Sequence, residues 1–376
     1  MHHSICDQDI AAVVNVLSSP NLTQGPVVDA FCGSVAKYVG ASGAVSVNSA
    51  TSALHLACRA LNLGVGDLVW TSPISFVASA NCALMCGASV DFVDICPASA
   101  NICPNKLELK LREAAKKNKL PKIIIPVHFA GSSCNMKKIS SLTKKYGIKI
   151  IEDASHALGA KHNNKMVGSC EFSDLTVFSF HPVKIITTAE GGMVTSNNID
   201  LLTKVKQLAQ HGVYREPQKG LLEPWSYDLE ELGYNYRMPD VLAALGLSQL
   251  SKARHFVEKR SSLAIRYNEK IFDTGLSALR FDADSSHYLY VLRLNNRQER
   301  LFLYKELIEN GFWANVHYKP IHTLQLYKNM GFSKCKLPSA EQHYEVALSI
   351  PLYPSLTEKE QDTVIKIIRN TQRKTV

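Results

Sequence analysis

No apolar run in this 376-residue chain approaches the ~20 residues needed to cross a bilayer. The opening residues, MHHSICDQDI, also lack the basic-then-apolar layout of a secretory signal. Both absences make the cytoplasm the expected location. The ten cysteines form no C-x-x-C pair, and the two nearest, Cys82 and Cys86, have the spacing of one helical turn. A zinc site needs tighter ligand clusters, so no metal is expected and the thiols read as small buried hydrophobes in a reducing compartment. Charge is modest at 20% of residues, and the excess of 42 basic over 33 acidic side chains is scattered in short clusters such as AAKKNKLPK (114–122), Lys137–Lys138 and Lys144–Lys145. A nucleic-acid protein concentrates its basic residues on one element with aromatics between them. Solvated helix faces fit the scatter better, with attraction of an anionic small molecule such as a nucleotide diphosphate as a second reading. Internal repeats and low-complexity tracts are also missing.

What is present is an ordinary hydrophobic fraction of 46% and a length beyond which one core usually splits, so two domains are expected. The first two-thirds alternates the two periodicities. VVDAFCGSVAKYVG (27–40) is helix-like with a glycine stop. AVSVNS (44–49), LVWTS (68–72), SVDFVD (89–94), KIIIPVHF (122–129), IKIIED (148–153), DLTVFSF (174–180) and GMVTSN (192–197) read as buried strands. Helical segments at 51–63, 75–87 and around 135–146 fall between them. This rhythm predicts an α/β fold with a mostly parallel sheet covered on both faces. Residues 214–230 carry two prolines and a glycine and read as a long surface loop, a possible lid. Pro239 opens a predicted long helix over 239–272. Segments 287–294, 297–310 and 312–318 suggest a smaller α/β unit. The expected division is 1–250 and 251–376.

Ligands of parallel α/β sheets collect outside the carboxyl ends of the strands, and two strand ends here carry reactive groups. Asp153 closes IKIIED, and Lys184 lies in FSFHPVKIITTAEGG (178–192). A lysine to form a Schiff base with the cofactor aldehyde and an aspartate to pair with its ring nitrogen are what pyridoxal phosphate requires. Each has a plain alternative: Asp153 as a helix cap, Lys184 as a solvated surface lysine. In NSATSALHLA (48–57) a strand feeds directly into a helix, so the Ala50 and Thr51 amides with the Thr51 and Ser52 hydroxyls form a potential phosphate cup. Ordinary capping by Asn48 or Ser49 explains the same residues. Phe76 either lies flat on a pyridine ring or fills the core. Ser179 alternates outward from its aromatic neighbours and can reach the same phosphate. His156 either hydrogen-bonds the cofactor or packs beside Asp153.

Taken together, NSATSALHLA, SPISFVASAN, EDASHALGA, FSFHPVKIITTAEGG and GYNYRM resemble, in order and approximate spacing, the DegT-type sugar-nucleotide aminotransferases. The resemblance runs from about residue 5 to the C-terminus. It implies a fold-type I, aspartate-aminotransferase-like pyridoxal phosphate enzyme with a smaller C-terminal α/β domain. Lys184 is similar to the cofactor-bonding lysine, Asp153 to the ring-nitrogen partner and Phe76 to the stacking ring. Ala50, Thr51 and Ser179 resemble the phosphate cup. Asn235 resembles an asparagine that reaches the phosphate of a neighbouring subunit, which implies a homodimer with shared sites. Pro20, Asn21, Leu22 and Thr23, with Asn315, Val316, His317 and Tyr318, resemble segments that touch the nucleotide sugar. LTQGP (22–26), SFHPVKIITTAEGG (179–192) and VHYKPIH (316–322) are most similar to the pseudaminic acid branch, which implies L-glutamate as amino donor and a UDP-linked 4-keto-6-deoxy-N-acetyl-L-hexosamine as acceptor at C4. Acceptors of the 4-keto-arabinose, perosamine and legionaminic acid type stay open. A sugar dehydratase of this fold replaces the lysine with histidine, and His181 stands three residues too early for that. A non-catalytic sugar-nucleotide binder would not need both Lys184 and Asp153.

Overall fold

The computed structural model describes residues 3–215, 223, 225–280 and 282–375. Helices α1 (Asp7–Leu17) and α2 (Pro26–Val39) lead into β1 (Gly43–Val47) and α3 (Ala50–Ala60). Pro26 starts α2 and Gly40, at φ 78°, ends it in the left-handed conformation that glycine adopts without a Cβ penalty. The chain continues through β2 (Leu68–Thr71), α4 (Ala78–Met85), β3 (Ser89–Phe92), α5 (Pro104–Lys116), β4 (Ile123–Ile125), α6 (Met136–Lys144) and β5 (Lys149–Asp153). A small hairpin, β6 (Lys161–His162) and β7 (Lys165–Met166), precedes β8 (Leu175–Ser179), β9 (Gly192–Ser196) and α7 (Ile199–Ala209).

These strands build a seven-stranded sheet in the order β1-β9-β8-β5-β4-β2-β3. β9 runs antiparallel to both of its neighbours, β1 and β8, and the other pairings are parallel. The sheet separates buried layers by strand alternation. Ile123, Ile125, Ile151 and Val177 pack with Leu54 and Leu56 of α3. The intervening Ile124 and Ile150 pack with Leu107 of α5 and Ile139 of α6. Phe178 and Met193 instead meet Phe31 and Val35 of α2. A strand buried on both faces reads as a continuous apolar run, which is why KIIIPV and IKII show no polar alternation.

Of the stretch 214–230 read as a lid, residues 216–222 and 224 lie outside the described residues. Its flanks pair as β10 (Val213–Tyr214) with β11 (Asp228–Leu229). The long helix expected over 239–272 is two helices, α8 (Asp240–Leu250) and α9 (Ala253–Ile271). The break has a packing cause. Helix α8 packs against α1 and α2, whereas Leu263 and Tyr267 of α9 bury themselves in the core of the second unit. Lys252, at the break, reaches back to Asp9 Oδ2 at 2.5 Å. The turn at Ser251–Lys252 joins the two helices. Beyond it, β12 (Ser277–Ala278), β13 (Tyr290–Arg293) and β14 (Ala347–Ile350) form an antiparallel three-stranded sheet. Helices α10 (Arg297–Glu309), α11 (Gln325–Asn329), α12 (Pro338–Val346) and α13 (Glu358–Thr375) complete the chain. The segment 312–318 forms no strand, and its one ladder contact is Asn315 with Ser349. Among the described residues no helix is long and apolar enough to cross a membrane, and no group of three or more His, Cys, Asp or Glu is placed to hold a metal ion.

The reversal at β9 sets the site. Gly192, its first residue, pairs with Val47 at the end of β1 and with Ser179 at the end of β8. A Cβ on Gly192 would stand 2.6 Å from the Ala50 nitrogen, too close for any side chain. Gly192→Ala must therefore push α3 from the sheet. Urea unfolding should show it about 1–3 kcal/mol less stable, the usual cost of overpacking. An unchanged midpoint would mean that this approach is loose.

Candidate active site

The strand ends open into a cavity of about 300 Å³. Ala50, Thr51, Phe76, Asp153, His156, Ser179, Lys184, Tyr288, His317 and Tyr318 are on its wall. At the start of α3, Ser49 Oγ accepts the Ser52 amide at 3.1 Å, and the Ser52 hydroxyl lies 2.6 Å from Asn48 Oδ1. Capping is thus realised, and Ser52 is turned away from the cup suggested for it. Ala50 and Thr51 remain on the wall, in the first turn, where helix amides have no intrahelical acceptor.

Asp153 is buried at the tip of β5. Its Oδ1 accepts the Ser155 amide at 3.1 Å and its Oδ2 accepts the Ser79 hydroxyl at 2.6 Å. No helix follows Asp153, since residues 154–160 form turns, so the helix-cap alternative is not realised and the carboxylate holds a turn while lying on the cavity wall. The strand tip is braced from behind by a buried pair. His128 Nε2 meets Glu152 Oε2 at 2.7 Å, while its Nδ1 accepts the Cys134 amide at 3.0 Å. The His128 amide in turn donates to the Asp153 carbonyl at 3.0 Å. Burial pushes Glu152 up, but His128 and the Ser173 and Thr176 hydroxyls outweigh it and hold the carboxyl below its usual range.

Lys184, half-buried, sits on the loop between β8 and β9 with its Nζ 4.7 Å from the centroid of the Tyr288 ring. The His156 ring lies 4.3 Å from the same tyrosine. Burial, then the nearby Lys184 charge and His317, push His156 far below the usual imidazole range. Burial and Lys184 likewise push His317 down to about 4. Burial, Tyr288 and Asp153 drive the Tyr318 phenol well up, so it stays protonated, with its hydroxyl 3.3 Å from His156 Nε2. His156 Nδ1 is buried and has no hydrogen-bond partner among the described residues. Phe76, 62% exposed, is no core residue and stands at the mouth with its ring 6.4 Å from Tyr318.

The structure does not bring every expected residue together. Asn235 is exposed, pairs with Gln210 across an antiparallel bridge and is not on this wall. Pro20, Asn21, Leu22 and Thr23 form an exposed loop away from it. That loop is anchored by buried Asp240, which accepts the Gly25 and Val27 amides at 2.8 and 3.0 Å. Val316 packs toward the core of the second unit. Asn315 lines a second cavity of about 410 Å³ with Phe312, Trp313, Ser349 and Tyr353, which shares Val183, Tyr288 and His317 with the first. Sequence reading missed Ser75, Ser79, Tyr288 and Trp313. HYLYVLRL shows a strand but nothing that sets Tyr288 apart, and the serines of SPISFVASAN look like any helix start.

A mostly parallel sheet with lysine and carboxylate on one cavity at its strand ends is the architecture of the fold-type I aminotransferases. The chain belongs to the DegT/DnrJ/EryC1/StrS aminotransferase family, whose profile matches residues 3–369. A Campylobacter jejuni relative named UDP-4-amino-4,6-dideoxy-N-acetyl-beta-L-altrosamine transaminase is 39% identical over 383 residues, covering 99% of this chain and 98% of its own. The solved structure of Helicobacter pylori PseC, an aminotransferase of pseudaminic acid biosynthesis, superimposes with a TM-score of 0.92 at 33% identity, covering 99% of this chain and 98% of that one. A Streptococcus pneumoniae sugar aminotransferase, Spr1654, solved in its PMP form, has the same TM-score at 29% identity and covers 100% of this chain and 99% of its own.

Four buried imidazoles predict acid sensitivity. His287, His317 and His343 are held at about 4 by burial, and His156 is lower than its ordinary 6.5. The unfolded chain takes up these protons near 6.5 and the folded one does not, so stability present above pH 6.5 is lost as pH falls toward 4. Each ring contributes a slope of up to roughly 1.4 kcal/mol per pH unit. The melting temperature should fall steeply over that range, and a flat profile would contradict neutral burial of these rings.

Proposed function

We propose that the protein is a pyridoxal phosphate enzyme that moves the amino group of L-glutamate to C4 of a UDP-linked 4-keto-6-deoxy-N-acetyl-L-hexosamine, giving UDP-4-amino-4,6-dideoxy-N-acetyl-β-L-altrosamine. The observation that carries this reading is the meeting of Lys184 and Asp153 on one cavity wall, in a chain similar over its whole length to a transaminase of that name.

The residues suit the cofactor. Ala50, Thr51, Ser179 and Phe76 line the cavity, where the first-turn amides and the hydroxyls would hold its phosphate and Phe76 would cover a face of its ring. Buried His156 Nδ1 lacks a partner among the described residues and, as its Nδ1–H tautomer, suits the phenolic oxygen. When bound, pyridoxal phosphate supplies a ring that accepts charge from the amino acid α-carbon. Asp153 holds the proton on the ring nitrogen. Lys184 Nζ takes the proton from the glutamate α-carbon and, in the second half-reaction, delivers one to C4 of the sugar. A neutral His156 cannot compete as an acid with either. His181, 49% exposed at its side chain and near Glu190, is on the same cavity wall, but Lys184 occupies the position a dehydratase histidine would fill.

The second cavity adjoins the first through Val183, Tyr288 and His317, and its Trp313 and Asn315 suit the nucleotide end of the acceptor. Asn235 and the 20–23 loop are exposed and off their own cavity, which favours their service to a second copy in a homodimer. A cytoplasmic reaction accords with this substrate pair.

Two experiments test the reading. Protein in its amine-loaded form, mixed with a panel of UDP-4-keto sugars, should regain its visible absorbance with the L-hexosamine acceptor and not with 4-keto-arabinose; equal recovery with all would remove the sugar assignment. Lys184→Ala and Asn235→Ala chains, each impaired alone, should recover activity when refolded together, because one site then has both native residues. No recovery would remove the shared site.

A further inference from the structure

Ser79 and Ser75 have no part in the chemistry above, yet they are joined to it. Ser79 is fully buried in the first turn of α4, and its Oγ lies 2.6 Å from Asp153 Oδ2. Ser75 lies on the cavity wall, 4% exposed, with its Oγ 2.6 Å from Ser79 Oγ. The direction of this chain is fixed by chemistry. An ionised carboxylate only accepts, so Ser79 gives its single proton to Asp153. Ser79 Oγ is then an acceptor toward Ser75, and the Ser75 proton points at it. The other contact of the Ser79 hydroxyl, the Phe76 carbonyl at 3.4 Å, is too long to compete. With Ser155 N on Oδ1, both carboxylate oxygens are held by groups from two different strand ends.

We propose that Ser75 and Ser79 form a directional hydroxyl relay that positions Asp153 and sets its basicity toward the ring nitrogen of the bound cofactor. The inference rests on the pyridoxal phosphate reading. A hydrogen bond to the charged form favours the ionised carboxylate, and a donor that is itself hydrogen-bonded is a stronger one. Ser79 therefore fixes which way the carboxylate turns and moderates its pull on the ring proton. Ser75 acts through Ser79. An ordinary pair of buried serines would serve α4 alone, and their removal would touch stability without touching the cofactor.

The test uses Ser79→Ala, Ser75→Ala and the double variant, each loaded with pyridoxal phosphate. Ser79→Ala should bind the cofactor ~10-fold more weakly in an absorbance titration and lose ~10-fold in kcat, the scale of one charge-assisted hydrogen bond. The KM for L-glutamate should stay within about twofold, because the relay touches the ring and not the amino acid. The pH midpoint of the visible cofactor band should move. Ser75→Ala should shift the same quantities less, and the double variant should match Ser79→Ala, since one member works through the other. Should Ser79→Ala fail to fold, Ser75→Ala at the cavity wall still carries the band shift. Wild-type affinity, kcat and band position in Ser79→Ala, or fully additive effects of the two substitutions, would overturn the relay alone. Wild-type protein that takes up no pyridoxal phosphate would overturn the functional reading and the relay with it.

Discussion

Gly192 lies so close to the backbone of Ser49 and Ala50 that no side chain fits between them, and the site is arranged around that approach. β9 runs against its neighbours, so its first residue lies at the same edge of the sheet as the last residues of β1 and β8. One glycine thereby brings the first turn of α3 beside Ser179 and the loop bearing Lys184. The first-turn amides of a helix are unpaired in any fold; what this fold adds is an enclosing wall around them. A larger residue at 192 would separate the anion-binding end from the reactive end of the cavity.

The remaining wall is shared between the large sheet and the C-terminal part of the chain. The large sheet supplies Asp153, His156 and Lys184, while Tyr288, His317 and Tyr318 come from the segment beyond α9. The cavity is therefore enclosed by the packing of the segment beyond α9 against the strand ends. Its electrostatics follow from that packing. Enclosure keeps His156 and His317 neutral and Tyr318 protonated, beside Lys184, Asp153, His181 and Glu190 on the same wall. The buried His128–Glu152 pair, one residue along β5 from Asp153, braces the strand tip without entering the cavity.

Much of this was legible in the sequence, and the physical reason differs by element. The buried strands KIIIPV and IKIIED were readable because two-sided burial leaves unbroken apolar runs, and Lys184 and Asp153 because reactive residues follow such runs directly. The antiparallel direction of β9 was not readable, since GMVTSN looks the same in either direction. The break at Ser251–Lys252 was hidden for a related reason. Each half of 239–272 is helical by itself, and only the partner each half packs on shows that they cannot be one rod. Tyr288, Ser75 and Ser79 carry no local pattern at all. Their importance comes from contacts across long separations, such as the 74 residues between Ser79 and Asp153.

The central claim is that Lys184 moves the α-proton of the amino donor within the cavity it shares with Asp153. The most direct measurement is loss of the α-hydrogen signal of L-glutamate in D2O, followed by proton NMR with cofactor-loaded protein and no sugar acceptor. The wild-type protein should exchange this hydrogen, and Lys184→Ala carrying the same cofactor should not. Exchange by Lys184→Ala at the wild-type rate would contradict it.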